Sequence, residues 1–475
     1  MPVIALNSCG VSFGTSGVRG LVSDLSDSIC YAYSQAFIQA VGRPERIVIG
    51  HDLRPSSPKI TAACSQACSD LGIEVIYVGA LPTPAIAYYA MELNAPAIVV
   101  TGSHIPFDRN GIKFYRAEGE ITKADEQAIL AAQIAVPDSL ECAALPQITE
   151  AAAASYLQRY TDFFPADLCA GMKVAIYQHS GVGRDLITEL FTRLGAEVLP
   201  LGRSDKFVPI DTEAVRAEDV AQAKAWAAEY GFDLIVSTDG DADRPLIGDE
   251  QGNWLRGDVV GVLCARALGV ETVVTPVSSN TVLERSHWFS TVSRTRIGSP
   301  YVLAGMAEAD NSVAGYEANG GFLLGSQITR GETVLKALPT RDAVLPMLAL
   351  ISLAKAASAP LSSLSSSLPA RFTASDRIPG IPTAWSLARV AELREGALAL
   401  SELIQMDLGE VASIDSTDGL RTTFASGQII HLRPSGNAPE LRCYTEADSV
   451  DEAERLCHSV LQSVEQFYRQ SASTV

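Results

Sequence analysis

The chain has 475 residues, enough for three or four domains at roughly 100–200 residues each. Its 36 Lys and Arg against 55 Asp and Glu leave a net charge of −19, which argues against a nucleic-acid or anionic-membrane binder, whose affinity rests on basic surface. An anionic small molecule stays possible as a substrate, provided a local cluster of Arg and Lys receives it.

The opening "MPVIALNSCGVSFG" lacks a basic start and a sustained apolar core, so no secretory signal is expected. "FGTSGVRG" (13–20) reads as a glycine-rich loop presenting Arg19 to an anion, or as a plain tight turn. "RIVIG" (46–50) is a short β-branched run; helix-like "KITAACSQACSDLG" and a second strand, "IEVIYVG", follow. Cys64 and Cys68 lie one helical turn apart and read as a reduced, half-buried helix face. The nine scattered cysteines, without paired CxxC spacing, suit a reducing compartment and predict a cytoplasmic protein.

A third strand, "PAIVV", leads into "TGSHIPFDRNGIKFY" (101–115). A serine-hydrolase elbow would need Gly-x-Ser-x-Gly, and here Thr101 and Ile105 flank the Gly102–Ser103–His104 core. Two readings stand: an ordinary turn, or a phosphorylated Ser103. A phosphoserine carries roughly −1.5 to −2 charges and three acceptor oxygens. Lys113 would then serve as a general base or a charge stabiliser.

The same shape returns after a break near 144–147. "KVAIY" (173–177), "SGVGRDLITELFTRLGA" and "EVLPLG" form the second copy, and its added strand "FDLIVS" leads into "TDGDADR". Asp239, Asp241 and Asp243 alternate, and in an extended segment alternate side chains point the same way. Three converging carboxylates repel unless a cation sits among them, and oxygen-only ligands suit Mg²⁺ or Ca²⁺. Glu250 stands twelfth from Asp239, as in an EF-hand, but Arg244 takes the sixth position, where that loop needs glycine. A solvated acidic loop is the bland alternative. Arg244 is placed to meet a phosphate oxygen.

A third copy follows a break near 250–253, with "TVVTPV" (272–277), "SSNTVLERSHWF" and "STVSRTRIG". Its added strand "NSVAGY" leads into "EANGG", where Glu317 and Asn319 either hold sugar hydroxyls or merely close a turn. Three βαβ-like copies predict largely buried sheets, and loops at the carboxyl ends of their strands can face one cleft. The most apolar stretch, 343–354, is too short to span a bilayer and reads as a buried helix.

The Ser/Ala/Pro-rich segment 358–376 is read as a break before a fourth, α+β region. That region runs from helix-like "SLARVAELREGALALSEL" through strands around "GLRTTF" and "QIIHLRPSG" to a last helix, "DEAERLCHSVLQSVEQFY". Within "RPSGNAPELR" (433–442), Arg433 offers a planar fork of donors suited to phosphate. Ser435, Gly436 and Asn437 can turn donors inward as an anion cradle, or form a surface β-turn.

"FGTSGVRG", "TGSHIPFDRNGIKFY", "DGDADRP", "GYEANGG" and "RPSGNAPELR", in this order, resemble the α-D-phosphohexomutases, bacterial phosphomannomutases most of all. The resemblance spans essentially the whole chain. It implies three similar α/β domains with mixed sheets and a smaller C-terminal α+β domain around a central cleft. We expect them at 1–145, 146–252, 253–368 and 369–475. It further implies that Ser103 is the phosphoserine, that Asp239, Asp241 and Asp243 bind one Mg²⁺ with the serine's phosphate, and that His104 and Lys113 act in proton transfer. Arg19 and Arg244 would surround the transferring phosphoryl, Glu317 and Asn319 would meet the sugar, and Arg433, Ser435, Gly436 and Asn437 would hold the substrate's other phosphate. The expected reaction interconverts mannose 6-phosphate and mannose 1-phosphate through a hexose bisphosphate, which also serves as activator; the alternatives are glucose or glucosamine phosphate on the same scaffold, or a non-catalytic sugar-phosphate binder. A monomer or homodimer with no nucleic-acid or membrane partner is expected. Gly102, Ile105, Ser299, Asn319 and the "SGNAP" stretch depart from the common family motifs and bear on sugar preference.

Overall fold

The computed structural model describes the chain apart from residues 1, 9, 15, 16, 397, 398, 436–438 and 473–475. The described residues form two compact units, 1–271 with 298–365, and 272–297 with 366–475.

In the first unit the β-branched runs become central strands. The sheet order is Ser12–Phe13, Gly17–Leu21, Arg109–Arg116, Ala97–Val100, Arg46–His51, Glu74–Ala80. Arg46–His51 pairs in parallel with both Glu74–Ala80 and Ala97–Val100. Successive residues of a strand face opposite sides, and both sides are apolar here. Ile47, Ile49, Ile98 and Val100 pack with the core of helices Asp27–Ala40 and Ser57–Ser69; Val48, Ala97 and Val99 pack against helix Thr83–Glu92. Cys64 and Cys68 are fully buried in the first of these cores rather than half-buried.

The second copy repeats this design. Lys173–Tyr177 pairs in parallel with Glu197–Leu201 and Leu234–Thr238, and Pro245–Gly248 closes the sheet antiparallel. The third copy is less regular. Its strands Thr272–Pro276 and Thr291–Thr295 pair in parallel within the second unit, but only Val282–Arg285 of the intervening segment is helical. Its hairpin, Val313–Tyr316 and Phe322–Leu324, lies in the first unit, with Leu338–Asp342 antiparallel to it. Helix Val344–Ala357 is apolar on almost every side and accordingly buried. Among the described residues, no helix is long and apolar enough to cross a membrane.

The second unit carries a five-stranded antiparallel sheet in the order Phe372–Pro379, Glu440–Ala447, Ile429–Pro434, Leu420–Phe424, Val411–Asp415. Helices Thr383–Glu395 and Val450–Ala472 belong to this unit. The segment 358–376 is more structured than its composition predicts. Ser362–Ser366 is helical, and Phe372–Pro379 is an edge strand paired residue by residue with Glu440–Ala447. Tertiary pairing overrides a weak local pattern there.

Candidate active site

The loop after strand Ala97–Val100 puts Ser103 in the left-handed region at φ 50°. A non-glycine residue pays for that conformation and keeps it only when its surroundings over-determine it. They do so here. Asp52 accepts hydrogen bonds from Thr101 Oγ1 (2.8 Å) and Gly102 N (3.1 Å), and Thr101 Oγ1 accepts from Ser103 N (2.9 Å). The Arg54 guanidinium donates to the carbonyls of Ser103, Ile105, Pro106 and Arg109 at 2.5–3.0 Å. Phe207 covers it, its ring centroid 4.3 Å from the guanidinium carbon.

The buried Ser103 hydroxyl donates to Asp239 Oδ2 at 2.6 Å. Asp239, Asp241 and Asp243 are all buried and each offers an oxygen within 4.8 Å of the others. They do not lie in an extended segment, as their alternation predicts. Strand Leu234–Thr238 has ended, and the chain turns tightly with Ala242 at φ 58° and Asp239 N donating to Arg244 O at 3.1 Å. Convergence comes from that turn.

Lys113, on strand Arg109–Arg116, donates to Asp241 Oδ2 at 2.6 Å and Asp243 Oδ2 at 2.7 Å. Burial works against its charge, but Asp241 and Asp243 overcome it and hold the pKa above the ordinary lysine value. Arg244 Nη1 donates to His104 Nδ1 at 3.0 Å, and that nitrogen lies 3.3 Å from Ser103 Oγ. Burial, then Arg244, brings His104 down to about 3, so its ring is neutral. Arg19 is in a strand, Gly17–Leu21, not in a loop. It opposes Gly111, which makes it a diagonal neighbour of Lys113 on one face of the sheet. Burial, with Arg244 and Arg341 nearby, lowers Arg19 to about 10.

The hairpin turn adds Glu317 and Asn319, both buried. Asn319 Oδ1 accepts from Gly321 N (2.9 Å) and its carbonyl accepts from Thr212 Oγ1 (2.6 Å), so this asparagine closes its own turn. Glu317 meets Arg341 Nη1 at 3.4 Å, and Arg341 Nη2 meets Asp243 Oδ2 at 3.0 Å. Arg341 was not singled out from the sequence, nor were Arg54, Asp52 and Thr83, whose hydroxyl donates to Asp241 Oδ2 at 2.6 Å. All but Arg341 sit just beyond a strand end, in "HDLRPSS" and "LPTP", the position that flagged the other loops. Arg341 is inside a strand and only the fold could find it.

Arg433 and Ser435 belong to the second unit. Arg433 Nε donates to Asp418 Oδ2 at 2.8 Å, and Ser435 N donates to Glu440 O at 3.0 Å. Gly436 and Asn437 lie outside the described residues.

The aspartate trio fits a hard divalent cation. Lys113 and Thr83 leave Asp241 Oδ1 without a hydrogen-bond donor, and Asp243 Oδ1 is likewise without one, although both atoms are buried. Burial and the charges of Asp241 and Asp243 push Asp239 well above the ordinary carboxylate range. Those two bare, buried oxygens are where a cation would bind, and oxygen-only donors select Mg²⁺-type ions.

Models of the phosphoglucomutase/phosphomannomutase alpha/beta/alpha domains I, II and III match residues 10–138, 154–252 and 256–372, and that of the C-terminal domain matches 388–463. The chain belongs to this family. It is 46% identical to a phosphomannomutase of Salmonella muenchen over 467 residues, 97% of this chain and 96% of that one. It is equally similar, at 46% over 462 residues, to a phosphomannomutase of Sinorhizobium fredii, covering 94% and 97%. A putative phosphomannomutase from Thermus thermophilus shares the fold, with a TM-score of 0.76 at 21% identity over 97% and 99% of the two chains. The family's three alpha/beta/alpha domains account for the three copies seen in the sequence, and its C-terminal domain for the α+β region.

Proposed function

We propose that this protein is a phosphohexomutase that interconverts mannose 6-phosphate and mannose 1-phosphate. The observation that carries the reading is the 2.6 Å bond from the Ser103 hydroxyl to a buried, cation-ready aspartate trio, in a chain so similar to two phosphomannomutases. The four loops belong to domains we place at 1–145, 146–252, 253–368 and 369–475. The eight described cysteines are all free thiols, which suits a reducing cytoplasm.

Phosphoryl transfer needs positioning and charge neutralisation more than covalent help. Phosphorylated Ser103 gives its phosphoryl to a free sugar hydroxyl: the bond to Oγ breaks and one to the sugar oxygen forms. The hydroxyl proton leaves to His104, the neutral ring we assign to proton transfer, whose Nδ1 is freed when Arg244 turns from it to the incoming phosphoryl. The resulting bisphosphate turns over and returns its other phosphoryl to Ser103. Mg²⁺, when bound by Asp239, Asp241 and Asp243, would neutralise charge on the phosphoryl oxygens. Lys113, held protonated between two aspartates, acts in this arrangement as a charge stabiliser. Arg19, Arg244, Lys113 and Arg341 are offset by three aspartates and Glu317, so a dianionic phosphoryl and a divalent cation enter together without upsetting the balance. Glu317 is the side chain we assign to the sugar hydroxyls. Arg433 and Ser435, with Gly436 and Asn437, would grip the phosphate that is not reacting.

The test is a panel of mannose, glucose and glucosamine phosphates with Mg²⁺ and a bisphosphate activator. Mannose phosphates should give the highest kcat/KM. Ser103→Ala should lose turnover and the single phosphoryl mass on the intact protein; near-normal turnover by that variant would defeat the proposal.

A further inference from the structure

The arginine assigned to the non-reacting phosphate is itself held. Asp418, in the turn before strand Leu420–Phe424, accepts from Arg433 Nε at 2.8 Å, and the two side chains are only 8% and 17% exposed. The same Oδ2 accepts from the backbone N of Ile297 at 3.0 Å. The carboxylate is thus anchored to main chain and does not depend on the arginine for its place. Its backbone is anchored too: His431 Nε2 lies 2.5 Å from the Asp418 carbonyl. That contact requires the proton on Nε2, and burial lowers His431 to about 4, which keeps the ring neutral. Next along the chain, Gly419 has φ 82° and lies so close to strand Ile429–Pro434 that a Cβ would meet Leu432 O at 2.3 Å. Asp418 therefore rides on a turn pressed against the strand that carries Arg433.

The pairing atom matters. Asp418 takes Nε, not the terminal Nη1–Nη2 fork, and that fork pairs bidentately with phosphate oxygens. Arg442, directly opposite Arg433 on the neighbouring strand, is paired instead through Nε and Nη2 with Glu440 Oε1, at 2.8 and 2.7 Å. We infer that Asp418 is a positioning residue, which orients the Arg433 guanidinium so that its terminal fork faces the substrate's non-reacting phosphate. This rests on the phosphate-holding role proposed for Arg433.

Steady-state kinetics on wild type, Asp418→Ala, Asp418→Asn, Arg433→Ala and the Asp418→Ala/Arg433→Ala double variant tests it, with calorimetric binding of a hexose bisphosphate in parallel. Asp418→Ala should raise KM and the bisphosphate Kd about tenfold, the loss of one charge-assisted hydrogen bond, with kcat changed far less. Asp418→Asn keeps an acceptor for Ile297 N and Arg433 Nε and should recover part of that loss. In the Arg433→Ala background, Asp418→Ala should add nothing. A KM within twofold of wild type for Asp418→Ala, or additive effects in the double variant, overturns the inference. If Asp418→Ala fails to fold, a wild-type KM for Asp418→Asn does the same. A wild-type enzyme that neither turns over hexose phosphates nor binds the bisphosphate overturns the proposed function instead.

Discussion

Gly240 shows how little room the reacting residues have. An added Cβ would lie 2.5 Å from the Ser103 carbonyl oxygen, a backbone atom that Arg54 already holds at 3.0 Å. Gly240→Ala must therefore push the serine loop and the aspartate turn apart. We expect turnover to fall about 100-fold, the cost of roughly 1 Å of misplacement, with stability falling by about 1–3 kcal/mol; steady-state kinetics and urea unfolding would check both. Gly102 is a second such position. Its Cβ would meet the Arg54 guanidinium at 2.3 Å, and that group cannot swing away without releasing four carbonyls. Gly102→Ala should raise proteolytic cleavage within 103–109 relative to wild type; unchanged protection would show that Arg54 is not the clamp. Neither effect is legible in the sequence. "TGSH" and "DGDADR" announce a serine and three carboxylates, but only packing explains why glycines sit beside them.

Between elements, helix Ala151–Thr161 is tied to strand Leu338–Asp342 across nearly two hundred residues of sequence. The hydroxyls of Tyr156 and Tyr160 both donate to the buried Asp342 carboxylate, which also accepts from Val344 N at 3.0 Å. The residue before it, Arg341, pairs with Asp243 and Glu317. A Tyr156→Phe/Tyr160→Phe double variant leaves a buried carboxylate short of donors. It should lose about 2–4 kcal/mol of unfolding free energy, measured by denaturant titration. Strand and helix content is legible where apolar runs are long, as in 46–50, 96–100 and 343–354. It is illegible in 372–379, an edge strand of mixed composition that exists because Glu440–Ala447 pairs with it.

Over the whole molecule, besides His104 at the candidate site, two buried histidines set an acid limit, one in each unit. Burial lowers both His179 and His431 to about 4. A depressed folded-state pKa means that the unfolded chain takes the proton first. The stability is fully present above the unfolded value near 6.5, and is lost as pH falls towards 4. Each contributes up to about 3 kcal/mol in this window. Thermal midpoints should fall between pH 6.5 and 4, and His431→Asn should flatten the slope; a flat wild-type profile would count against buried neutral rings. The sequence by itself determined which chemical groups are present and that they follow strands, because side-chain chemistry and hydrophobic periodicity are local properties of the chain. The tertiary structure alone decided that Arg341 ties Asp243 to Glu317 inside the buried cluster, and that Asp418 holds Arg433. Those contacts join residues far apart in the chain, and their distances depend on how sheets and turns pack, which no short stretch of sequence encodes.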